Sequence, residues 1–238
     1  MKNLIKNLSD VFFKENLTCN ICHKETFNGE YFCEDCQKAL EALQGGAYCL
    51  TCGRRTTIPT VRCFSCKENW QVDMARSAFS YDGVIKNLIS AFKYNENKYL
   101  ANVFTPFLEK VYVSEKFDSD AITFVPMNSE RLFERGFNQS QTLCEVLSKS
   151  LNIELIAPLF KKNEVKKQVG LTAKDRAMNI ASSFGYLDKN IVKNKKILLV
   201  DDVLTTGATS GEIAKMLKKQ GALSVSLLTI ASVKSLDI

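Results

Sequence analysis

Downstream of Trp70 the chain alternates short apolar runs with stretches whose apolar residues recur at helical spacing. ARSAFSYDG (75–83) reads as a strand ending in a turn, and VIKNLISAFKY (84–94) as an amphipathic helix. Ala101 to Val113 reads as a second helix, AITFVPM (121–127) as a short strand closed by proline, and SQTLCEVLSKSL (140–151) as a third helix. ELIAPLF (154–160) is a candidate strand, followed by a polar, basic and only partly helical stretch over 161–186. KILLVDD (196–202) is a buried strand that ends in two acids. GEIAKMLKKQGA (211–222) is a helix capped by Gly221, and LSVSLLTIA (223–231) is a final buried strand. Strands alternating with helices predict an α/β fold, a mostly parallel sheet flanked by helices, with a right-handed final crossover. Ligands in such sheets gather at the carboxyl ends of the strands, where Asp201 and Asp202 stand.

The first seventy residues lack this periodicity and hold too little apolar sequence for a core without metal. Their opening, MKNLIKNLSDVFFKENL, reads as a short amphipathic helix without a signal-peptide core. Eight of the nine cysteines follow as four CxxC pairs: Cys19/Cys22, Cys33/Cys36, Cys49/Cys52 and Cys63/Cys66. CNICHKETFNGEYFCEDC and CLTCGRRTTIPTVRCFSC superpose as C-x2-C-x10-C-x2-C repeats offset by 30 positions. A CxxC turn sets two sulfurs on one side of a tetrahedral site and aims backbone amides at them, and a returning CxxC completes the shell. Two structural zinc ions are expected, most simply one per repeat; an interleaved pairing, in which the first and third CxxC share a metal, is the alternative. With four thiolates available, His23 reads as a surface residue rather than a ligand, and Cys144 as a buried spectator. The boundaries drawn from this are a zinc-binding domain over 1–70 and the α/β domain over 71–238.

Composition changes little in this picture. A net charge of +6 permits contact with phosphate or nucleic acid without demanding it. No apolar run approaches twenty residues, so no membrane insertion is expected, and the reading places the protein in the cytoplasm.

The most informative stretch is ILLVDDVLTTGAT. Thr205, Thr206, Gly207, Ala208 and Thr209 are small or hydroxylated and precede a helix. That outlines a phosphate cradle, in which backbone amides approach the anion and the positive end of the helix dipole helps. Two adjacent carboxylates cannot hold phosphate; they suit vicinal hydroxyls such as those of ribose, and one could reach a hydrated magnesium ion. The lysine of a Walker loop and the glycines of a dinucleotide-binding loop are both absent. Too few residues follow for a phosphoacceptor receiver domain. The loop therefore reads as a grip for ribose 5-phosphate.

ILLVDDVLTTGAT resembles the phosphoribosyl-pyrophosphate motif of type I phosphoribosyltransferases. Together with the CxxC modules, AFKY, VPM, RLFERGFNQS and VGLTAKDRAMNIASSF, the whole chain resembles the ComF family of competence proteins. The resemblance implies a type I phosphoribosyltransferase-like domain behind a small N-terminal zinc-binding domain. It also implies a role in taking up single-stranded DNA during natural transformation. By position, Asp201 and Asp202 would bind the ribose hydroxyls, Thr205 to Thr209 the 5′-phosphate, and Val125, Pro126 and Met127 the pyrophosphate. The family usually shows VPLH here, so Met127-Asn128 is a departure.

Arg131 and Arg135 lie four apart and on a helix would share a face able to clamp a diphosphate; the resemblance favours Arg135. Gly136 and Asn138 would shape the turn and cap the next helix. Lys93 is a further candidate pocket cation. Lys174 and Arg176, with Leu171 and Asn179, fall in a segment resembling the mobile hood that closes over such sites. Two functions follow: a phosphoribosyl-pyrophosphate-binding protein of DNA uptake, which contacts single-stranded DNA and uptake proteins, or an active transferase delivering ribose 5-phosphate to a nucleobase or amine. Arg54, Arg55 and Arg62, with Phe64 and Trp70, are the candidate single-strand contacts in the second cysteine module.

Overall fold

The structure, a computed structural model, describes residues 18–26, 30–64, 66, 70–93, 97–162, 183–188 and 190–235. The expected N-terminal helix and the hood segment with Lys174 and Arg176 lie outside the described residues. The chain forms two compact units, Met1–Gln44 and Gly45–Ile238.

In the smaller unit the first cysteine repeat leads straight into helix α1, Glu34–Leu43. Cys33 occupies its N-cap position and Cys36 rides on its first turn, while Leu40 is buried. The second repeat belongs to the larger unit.

The rest of the larger unit is built from strands β1 (Met74–Ser80), β2 (Ala121–Phe124), β3 (Glu154–Leu155), β4 (Leu159–Lys161), β5 (Phe184–Tyr186), β6 (Lys196–Leu204) and β7 (Ser224–Ser232). Five helices join them: α2 (Gly83–Lys93), α3 (Leu100–Ser114), α4 (Ser129–Arg135), α5 (Gln139–Leu151) and α6 (Ala208–Lys219). The main sheet has the order β1-β7-β6-β2-β3, and every neighbouring pair is parallel. This is the mostly parallel, helix-flanked sheet that the alternation of strands and helices predicts. Central strands buried on both faces need unbroken apolar runs, and Ile197, Leu198, Leu199 and Val200 are all inaccessible. Ile197 and Leu199 pack with Ile213, Leu217, Val225 and Leu227; the alternate residues turn to the layer in which α3 and α5 pack together. Phe79, Phe92, Phe104, Phe107 and Phe137 fill the aromatic part of the core.

Three boundaries differ from the sequence reading. β6 does not stop at the acids but runs on to Leu204, because Val203 and Leu204 are buried and pair with Ala231 and Ser232 of β7. ELIAPLF is not one strand: Pro158, which has no N–H to donate, separates β3 on the main sheet from β4, which pairs antiparallel with β5. Gly185 lies under the Phe160 ring, which would have to move for a Cβ there, since the two would approach to 2.5 Å. Finally, α6 starts at Ala208, three residues before Gly211.

The second cysteine module is fastened to the sheet by backbone as well as side chains. Arg55 is buried and donates through Nη2 to the carbonyls of Ser77 and Ala78, and through Nη1 to Gly46. Its amide donates to Ser232 Oγ. Tyr48 donates to the Glu115 carboxylate, which also pairs with Arg76 Nε at 2.8 Å. Gly53, at φ +72°, lies so close to β1 that a Cβ would sit 2.1 Å from the Ala75 carbonyl oxygen.

These glycines make opposite predictions. Gly53→Ala should lower stability by ~2 kcal/mol or more, from left-handed strain plus a backbone clash. Gly211→Ala, in a helix with open space around it, should raise stability by ~0.5–1 kcal/mol. Urea unfolding of the two variants beside wild type reads both signs.

Candidate functional site

The acid pair sits near the carboxyl end of β6, held from two sides. Asp201 Oδ1 accepts hydrogen bonds from Ser140 Oγ and from the Asp202 amide, both at 2.9 Å. Lys93, at the end of α2, places its Nζ 2.8 Å from Asp202 Oδ2. Burial, with the charge of Asp202 beside it, pushes the Asp201 carboxyl up to about 7. The Ser140 hydroxyl, the Asp202 N–H and the Lys93 ammonium pull the other way but do not prevail. The result is an acceptor cluster short of positive charge and donors, as a site for a polyol or a hydrated cation would be. Ser140 was missed in the sequence; only its place after the capping Asn138 hinted that it would be rigidly held.

Beyond Leu204 the chain turns into the loop leading to α6. Thr205 and Thr206 are exposed, Ala208 and Thr209 half-buried, and Gly207 buried. Gly207 takes φ +68° as the N-cap of α6 and brings no side chain to cap it. Thr206 Oγ1 accepts from the Ala208 amide. A Cβ on Gly207 would come within 2.2 Å of the Trp70 ring, so glycine is required by both conformation and space.

The loop after β2 completes the edge. The Val125 carbonyl accepts from Asn138 Nδ2 at 3.0 Å, and Pro126 is buried with Met127 half-buried. Asn138 also accepts from the amides of Ser140 and Gln141, capping α5 as its residue type predicts. Asn128 caps α4 in the same way, and Gly136, at φ 75°, ends it. Arg131 and Arg135 therefore do lie on one helix, but in different settings. Arg135 is half-buried and donates to Gln139 Oε1 at 3.2 Å, whereas the Arg131 side chain is exposed. The candidates Lys174 and Arg176 are outside the described residues.

The cysteines resolve into two sequential clusters, Cys19-Cys22-Cys33-Cys36 and Cys49-Cys52-Cys63-Cys66, with the four sulfurs of each within 4.8 Å of one another. The interleaved pairing is excluded. In the second cluster the sulfurs of Cys49 and Cys66, Cys52 and Cys63, and Cys63 and Cys66 lie 3.5, 3.6 and 3.8 Å apart. These are too long for disulfides. They approach the edge of about 3.8 Å expected for a tetrahedron with metal–sulfur bonds of ~2.3 Å. Amides aim at the sulfurs as the CxxC spacing requires: Ile21 N donates to Cys19 Sγ and Cys63 N to Cys49 Sγ. Burial raises the Cys19 and Cys49 thiols, yet the backbone N–H groups around them outweigh it and bring them to about 6 and about 7. His23 is exposed at φ 59°, outside either cluster. Cys144 is buried, donates to the Thr123 carbonyl, and is held well above its usual range by burial and by the Asp201 charge.

Two of the candidate nucleic-acid contacts are not on the surface. Arg54 and Arg55 are buried, and their guanidinium groups serve internal carbonyls. Phe64 is exposed, as is Arg62.

Comparison with known proteins agrees with this architecture. The phosphoribosyl transferase domain family matches residues 139–236, from α5 through β7. Competence protein F of Haemophilus influenzae is 30% identical over 207 residues, covering 84% of this chain and 89% of that protein. This chain belongs to the ComF family. Within the family, competence protein ComFC of Bacillus subtilis is 30% identical over 215 residues, covering 84% of each chain. The DNA utilization protein YhgH of Escherichia coli K12 is 27% identical over 217 residues, covering 87% of this ComF-family chain and 93% of that relative. Among the described residues no helix is long and apolar enough to cross a membrane.

The raised Asp201 carboxyl makes a stability prediction. An unfolded aspartate ionises near 4, while the folded one retains its proton to about 7. Between those values the folded state binds more protons, so this group's contribution to stability falls as pH rises. Asp201→Asn cannot ionise and should therefore melt several degrees above wild type at pH 8. The difference should shrink toward zero near pH 4, read by thermal unfolding across that range.

Proposed function

We propose that this protein binds phosphoribosyl pyrophosphate with magnesium at the carboxyl edge of β6 and acts in the cytoplasm in DNA uptake during natural transformation. The observation that carries the reading is the convergence at one edge of a half-buried acid pair, a glycine-started helix without a side-chain cap, and the loop after β2. Asp201 and Asp202 take the vicinal ribose hydroxyls, and one of them reaches the hydrated magnesium. Thr205, Thr206, Gly207, Ala208 and Thr209 present amides and hydroxyls to the 5′-phosphate at the positive end of α6. Val125, Pro126 and Met127 line the pyrophosphate, with Arg135 as its cation. Lys93, released from Asp202 when the ligand arrives, stays near the diphosphate, and Arg131 adds to the positive surround; Lys174 and Arg176 are further candidate cations outside the described residues. The role in uptake is supported by the names of the relatives, competence proteins and a DNA utilization protein.

Each cysteine cluster holds one zinc ion. The near-tetrahedral spacing of the sulfurs suits that metal, and four sulfur ligands leave no open position for catalysis. Zinc there supplies cross-linking. The cysteine-rich 1–70 region acts as the zinc-binding part and 71–238 as the sugar-phosphate-binding part. Exposed Arg62 and Phe64 offer charge and a stacking surface to single-stranded DNA.

Titration calorimetry with phosphoribosyl pyrophosphate and magnesium should show binding by wild type. The Asp201→Asn, Asp202→Asn double variant should lose it while staying folded; unchanged affinity in that variant would overturn the assignment. Short oligothymidine binding that weakens steeply with salt would support the uptake role, and salt-independent or absent binding would count against direct contact.

Metal analysis should return two zinc ions per chain in wild type and also in His23→Gly. Removing one ligand, in Cys66→Ser, should cut the tightly held metal to about one ion, as loss of a thiolate from a four-sulfur shell implies.

A further inference from the structure

The second cysteine cluster has more contact with the candidate phosphate loop than a remote structural staple requires. Arg54 follows Gly53 at the turn of the CxxC knuckle. Its backbone N–H bonds the Cys52 sulfur, and its Nε donates to the Thr205 carbonyl at 2.7 Å. One residue thus joins a metal-ligand sulfur to the loop, across 151 positions of sequence. A trans peptide points its carbonyl and its N–H in opposite directions. Holding the Thr205 carbonyl inward on Arg54 therefore aims the Thr206 N–H outward, on the side where Thr205 and Thr206 are exposed.

Trp70 supplies a second link. Its ring packs against the Cys49-Cys52-Cys63 cluster, as Cys66 does, and also against the main core. Its outer ring atoms lie 2.2 and 2.7 Å from the point a Gly207 Cβ would occupy. The ring is the floor on which the left-handed Gly207 rests.

We infer that the second cysteine cluster sets the shape of the Thr205–Gly207 loop, with Arg54 and Trp70 as positioning residues, so that anion binding at this loop depends on metal held in a site that never touches the ligand. This rests on the reading of that loop as a phosphate grip. The loop and the cluster form one mechanical unit: losing metal frees Arg54, the Thr205 peptide rotates, and its neighbour's amide no longer converges on the anion.

Backbone hydrogen exchange tests this without any ligand. In Cys66→Ser and Arg54→Ala, amides of Leu204 to Thr209 should exchange about tenfold faster or more, the size expected when a hydrogen bond from a charged donor is lost. Amides of α5 should keep their wild-type protection. Arg54→Lys, which retains a donor for the Thr205 carbonyl, should fall between. Trp70 is the only tryptophan in the chain, and its emission should shift to longer wavelength in Cys66→Ser. Equal loop exchange in all four proteins overturns the inference; so does loosening of α5 in parallel with the loop, which would mean general destabilisation. Calorimetry with phosphoribosyl pyrophosphate and magnesium then separates the two readings. If wild type does not bind, the ligand assignment falls and the exchange data still decide the coupling. If wild type binds and Arg54→Ala and Cys66→Ser bind as well as it does, the functional part of the coupling is wrong.

Discussion

A half-buried carboxylate set directly after an apolar run of β6 is the constraint around which this domain is arranged. Asp201 follows four inaccessible residues of β6, where an unpaired charge would be strongly disfavoured. The fold answers with a serine hydroxyl from α5 and the amide of the next residue, while an ammonium ion from the end of α2 pairs with the neighbouring Asp202. These partners come from three separate elements, so α2, α5 and β6 must meet at one point for the acids to be tolerated at all. Asn138 fixes where α5 begins by accepting through Oδ1, and its Nδ2 donates to the loop after β2. The geometry of this sheet edge is thus largely the geometry needed to accommodate one unfavourable side chain.

Much of this was legible in the sequence, and for definable reasons. Structure that depends on local periodicity or fixed spacing could be read directly: the strand and helix alternation after Trp70, the duplicated CxxC repeats, and the small-residue loop after the acid pair. Caps were legible too, because Asn138 and Gly136 act on amides and dihedrals within a few residues of themselves. What escaped depends on distant partners. Nothing local marks Arg54 as a residue that will bond Thr205, or Trp70 as the surface beneath Gly207. By composition both belonged to a basic, aromatic patch suited to nucleic acid, and only burial removes Arg54 and Arg55 from that role. The end of β6 was misjudged for a related reason. Charge suggested a stop at Asp202, but pairing with β7 carries the strand to Leu204.

The two cysteine repeats show how one local solution can be put to two uses. Both build four-sulfur shells with amides directed at the first cysteine. The first lies in the smaller compact unit and runs into α1, while the second is part of the sheet-bearing unit, tied to it through Arg55, Tyr48 and Gly53. Identical ligand spacing therefore says nothing about how deeply a module is embedded; the residues between the ligands decide that.

That contrast is sharpest just after the first CxxC of each repeat. His23 and Gly53 are equivalent positions, both close the same turn onto the carbonyl of the first cysteine, and both adopt left-handed backbone. In the first repeat the turn has room for an imidazole. In the second, the Ala75 carbonyl leaves room only for hydrogen. The duplicates have consequently lost their interchangeability: a side chain that the first copy accepts at this turn would drive into the backbone of β1 in the second.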